Sequence, residues 1–77
     1  MLTPKQTLDT YYLEARRDLL EIAALLDRYD ASVEREGAAV DHDALLVTLR
    51  KALAHLADPD SPKGDRVDAL LELFAEN

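Results

Sequence analysis

The chain has 77 residues, with 16 Asp and Glu against 9 Lys and Arg, and it contains neither cysteine nor tryptophan. That length allows one small domain, residues 1–77, near the lower limit at which a single core sustains a fold. The net charge of −7 argues against a nucleic-acid binder, which needs a basic surface to neutralise phosphates, and the lack of cysteine removes disulfides, thiolate metal sites and cysteine nucleophiles.

Leu and Ala supply 15 and 12 of the hydrophobic residues, whereas Val and Ile together supply 5. Leu and Ala favour helix and the β-branched residues favour strand, so the balance predicts an all-α protein. The first helix has a clear start in Thr3-Pro4-Lys5-Gln6. Thr3 suits the N-cap, Pro4 the first helical position, and Gln6 completes a capping box. From there apolar residues alternate in steps of four and three, through Leu8, Tyr12, Ala15, Leu19, Ile22 and Leu26 and on to Tyr29 and Val33. This heptad spacing predicts one helix over about residues 4–36, ended by Gly37 in the left-handed conformation. Its weak point is Asp30-Ala31-Ser32, whose polar side chains compete for backbone bonds and offer an earlier end near Asp30.

A second helix is expected over about residues 42–57, with Asp41 as N-cap and a staple between Val40 and Leu45. Its stripe is Leu45, Leu46, Leu49, Leu53 and Leu56, and Pro59 stops it. A third helix is expected over about residues 62–75, with Ser61 as N-cap and Pro62 first. Gly64 weakens that first turn, which makes Asp65 an alternative cap. Val67, Leu70, Leu71 and Phe74 would face inward.

The unequal helices give two architectures, a three-helix bundle or a long hairpin bent at Pro59. Either one leaves apolar surface wet, and the first helix carries a second stripe at Leu13, Leu20, Ala24 and Ala31. A helix apolar on two sides calls for neighbours on two sides. The expectation is therefore a homodimer forming a larger helical bundle, with Leu8, Tyr12, Leu13, Leu19 and Leu20 as the candidate interface. Tyr11, Tyr12 and Tyr29 along this helix suit an interface rim equally well as a core edge.

Chemistry is sparse. His42 and His55 stand roughly 20 Å apart on one helix and in no ligand spacing. Asp41-His42-Asp43 reads as helix capping. The segment from Asp58 to Ala69 is similar in residue type to a calcium loop, but Gly64 falls at its seventh place and Ala69 stands where a bidentate Glu is needed. Glu14, Arg17, Glu21 and Arg28 form a polar side, with Glu14–Arg17 and Arg17–Glu21 spaced for ion pairs. Asp60-Ser61-Pro62 resembles in part the Asp-Ser-Leu motif of small acidic carrier proteins, which implies a phosphopantetheine on Ser61; Pro62 stands where that family has Leu.

No catalytic, cofactor-binding or metal-binding residues are assigned, and no cofactor is expected. The longest apolar run, Ile22–Leu26, is far short of the roughly 20 residues that span a bilayer, and the N-terminus lacks a signal-like pattern. The expectation is a cytoplasmic, non-enzymatic oligomerisation or protein-interaction module, its protein partner unspecified, with no nucleic acid or membrane as partner. The alternative is a metal-binding bundle whose site forms across a dimer from Glu14, Glu21 or His55.

Overall fold

A computed structural model of the chain describes residues 1–37 and 44–75. They form three helices, α1 (Pro4–Glu36), α2 (Ala44–Ala57) and α3 (Arg66–Ala75), and no strand occurs among the described residues. The chain divides into two units, Met1–Ala39 and Val40–Asn77.

The first unit contains one helix of 33 residues. Thr3 is extended (φ −71°, ψ 163°); its Oγ1 accepts the Gln6 N–H at 3.1 Å, and its own N–H donates to Gln6 Oε1 at 3.0 Å. Two otherwise free donors are thereby satisfied, as the capping box requires. The helix runs through Asp30-Ala31-Ser32 without ending. The reason is local: Ser32 Oγ donates back to the Arg28 carbonyl at 3.0 Å and accepts from Arg35 Nη2 at 3.1 Å. A hydroxyl tied to the carbonyl four residues earlier leaves the helical N–H groups undisturbed. Gly37, at φ 70°, then closes the helix by donating its N–H to the Val33 carbonyl at 2.9 Å.

In the second unit α2 packs against α3. Ala52 is buried at 4% exposure. Leu46, Leu49 and Leu53 on α2 and Ala69, Leu70 and Leu73 on α3 are half-buried. This differs from the expected stripes: Leu45, Leu56, Val67, Leu71 and Phe74 are exposed. Leu70 and Leu73 share one face of α3, while Val67, Leu71 and Phe74 share the next. Two short helices can bury only one of these faces against each other.

The start of α3 is the larger correction. It begins at Arg66 instead of Pro62, and Asp65, the alternative cap, accepts the first helical bond from the Ala69 N–H at 3.0 Å. Ser61 is engaged elsewhere. Its Oγ donates to the His55 carbonyl at 2.7 Å, and its N–H donates to the Asp58 carbonyl at 3.2 Å. Asp58 Oδ1 accepts the Asp60 N–H at 2.9 Å in an Asx turn. Ser61 therefore satisfies a carbonyl at the end of α2 and does not open α3. Gly64, at φ 77°, makes the reversal that follows. Val40, Asp41, His42 and Asp43, with the expected cap and staple of α2, lie outside the described residues.

Candidate protein-interaction surface

The heptad spacing that builds α1 also places Leu8, Tyr12, Ala15 and Leu19 in one row along its N-terminal half. Every residue from Met1 to Glu21 is exposed, and no residue of α1 is buried. Leu8 is 69% exposed, Tyr12 62% and Leu19 59%; Leu13 and Leu20, on the second stripe, are 70% and 58% exposed. All five candidate interface residues thus lie on one helix segment with their side chains open. From Ile22 onward the row changes character, with Ile22, Leu26, Tyr29 and Val33 half-buried.

Isolated exposed leucines are ordinary on a protein surface, whereas a contiguous apolar row with polar flanks is a candidate interaction site. The flanks here are charged. Lys5 Nζ lies 3.3 Å from Asp9 Oδ2, and Arg17 Nε lies 3.1 Å from Asp18 Oδ1. Both pairs are well exposed, so each contributes little to stability and its members exchange partners readily. Arg17 thus pairs with neither Glu14 nor Glu21, the partners its spacing suggested; the adjacent carboxylate of Asp18 captures it. The Arg16 side chain makes no hydrogen bond or ion pair among the described residues.

The candidates for other chemistry are separately placed. Among the described residues, no three His, Asp or Glu side chains converge on a point that would hold a metal ion. His55 contributes its carbonyl to the connector, while its buried Nε2 has no hydrogen-bond partner among the described residues. The Ser61 hydroxyl is committed to that carbonyl, and the residue is only 7% exposed. A serine that carries a prosthetic arm must present its hydroxyl to a modifying enzyme, and this geometry withholds it. Among the described residues no helix is long and apolar enough to cross a membrane. Val67, Leu71 and Phe74 on α3, expected to face inward, form an open row instead; their spacing is the same whether the face is covered or bare.

No protein-family model, curated protein or solved structure matches this chain.

Proposed function

We propose that the protein is a non-enzymatic, cytoplasmic helical module that acts by self-association through the apolar face of α1. The observation that carries this reading is the open row Leu8, Tyr12, Ala15 and Leu19, on a helix with no buried residue of its own. A lone helix gains most of its stability from packing an apolar face, so a 33-residue helix with such a row needs a covering surface. A second copy supplies a matching row at no cost in specificity, because a two-fold interface uses the same patch twice.

Sedimentation of the purified chain at micromolar concentration tests this reading, with a dimer expected. Leu19→Asp places a charge in the middle of the row and is expected to weaken association at least tenfold. Glu14→Ala, on the polar side, is expected to leave it unchanged. A wild-type chain that sediments as a monomer overturns the reading.

A further inference from the structure

The self-association reading leaves open how two copies of α1 would lie, and the residues flanking the open row discriminate among the arrangements. With Leu8 and Ala15 at d positions and Tyr12 and Leu19 at a positions, Asp9 and Arg16 occupy e positions, and Tyr11 and Asp18 occupy g positions. In an antiparallel pair, e residues flank e residues of the other helix and g residues flank g residues. Each register therefore makes a definite set of charge contacts.

We infer that α1 pairs with α1 of a second copy in an antiparallel, half-overlapped register that sets Leu8 against Leu19 and Tyr12 against Ala15 of the other copy. This inference rests on the self-association reading. Three observations converge on the register. It covers the exposed half of α1, reaches Ile22 at its edge opposite Lys5 of the other copy, and leaves the half-buried Leu26, Tyr29 and Val33 outside the contact. It fits a large ring against a small side chain twice, Tyr12 on Ala15 and Ala15 on Tyr12, which is how facing layers interdigitate without voids. Finally, it brings Asp9 beside Arg16 of the second copy and Arg16 beside Asp9, with Tyr11 beside Asp18 on the other flank. Arg16 has no partner among the described residues, and Asp9 is held only by its exposed contact with Lys5.

The competing arrangements conflict with the same residues. Sliding the pair by one heptad toward fuller overlap sets Arg16 against its own copy and Asp18 against its own copy. Full overlap places Asp9 against Asp30 and stacks Tyr12 on Tyr29. A slide in the opposite direction sets Asp9 against Asp9. Like charges in these flanking positions are destabilising. A register over the C-terminal half pairs Arg16 with Asp30 but leaves Leu8 and Tyr12 bare. A parallel pair brings Ala15 against Ala15, which leaves a gap, and aligns no opposite charges across its flanks.

Charge reversal in the full-length chain tests the register. Asp9→Arg and Arg16→Asp are each expected to weaken dimerisation roughly tenfold, and the double exchange is expected to restore it. At concentrations where they are dimeric, all variants should show wild-type helical content, since both positions are exposed. A nitroxide on Asp27→Cys gives an independent readout, because the chain has no other cysteine. At 1.5 Å per residue the two labels should lie about 40 Å apart, against about 20 Å for full overlap and about 10 Å for a parallel or C-terminal pairing. A dimer with one of those shorter separations, or one indifferent to Asp9→Arg, overturns the register and leaves self-association standing. A monomeric wild type overturns both.

Discussion

At the scale of single residues, His55 and Ser61 show how one position can serve through its backbone while its side chain is a liability. The His55 carbonyl, one of the acceptors a helix leaves open at its C-terminus, receives the Ser61 hydroxyl at 2.7 Å and a longer contact from the Asp58 N–H at 3.4 Å. Its buried imidazole Nε2 has no partner among the described residues. Two substitutions should therefore act in opposite directions. Ser61→Ala removes a short bond from a buried residue and is expected to lower stability by about 1 kcal/mol. His55→Leu keeps the carbonyl and removes the unpaired nitrogen, so stability should be unchanged or rise by up to about 1 kcal/mol. Urea unfolding followed by far-UV dichroism measures both, and a loss of stability in His55→Leu would show that the imidazole does useful bonding. The sequence did not reveal this division of labour. A serine before a proline carries the signal of a helix start, and only the folding back of Ser61 onto α2 decides which helix receives its hydroxyl.

At the scale of helices, the difference between α1 and α3 shows what makes a boundary legible. Both ends of α1 are marked by residues whose chemistry allows one outcome: Thr3 and Gln6 satisfy each other's backbone N–H groups, and Gly37 takes a left-handed conformation closed to most side chains. The expected and observed limits coincide at Pro4 and Glu36. The start of α3 offers two caps, Ser61 and Asp65, separated by Gly64, and local pattern favours Ser61, the cap that the structure does not use. Gly64 at φ 77° decides for the later one, since a helix beginning at Pro62 would need right-handed geometry there. A Cβ at Gly64 would meet nothing within 4 Å, so a substitution there is opposed by the backbone alone. Gly64→Ala is thus expected to cost about 1 kcal/mol, and Gly64→Asn less, because Asn tolerates the left-handed region. Thermal unfolding of the two variants checks the order. The faces of α2 and α3 were only partly legible for a related reason. Leu, Val and Phe at helical spacing announce an apolar surface but carry no mark of what lies against it, and Val67, Leu71 and Phe74 are open.

At the scale of the whole chain, neither unit contains much of a core. The first has a single helix with no buried residue, and in the second Ala52 is the buried apolar residue among those described. So little apolar burial among the described residues is what the proposed self-association would supplement. If the supplement is a second copy, folding and association are one equilibrium, and stability must depend on concentration. The expected outcome is a midpoint of thermal unfolding that rises with protein concentration, by the equivalent of about 1.4 kcal/mol per tenfold increase. A midpoint constant over a hundredfold range would show that the chain is self-sufficient. The candidate interface was legible in the sequence to the extent that heptad spacing shows a row of apolar side chains; that Leu8, Tyr12, Leu13, Leu19 and Leu20 all stand open required the structure.

The placement of the tyrosines gives these measurements an internal label. With no tryptophan in the chain, Tyr11, Tyr12 and Tyr29 are its main ultraviolet chromophores, and all three belong to α1. Far-UV dichroism reports all three helices, whereas tyrosine emission and near-UV dichroism report essentially α1 alone, apart from Phe74 on α3. Dilution can thus be followed in two spectral windows on unmodified protein. A change confined to the tyrosine window would locate the dissociating surface on α1, without a dye, a tag or a single substitution.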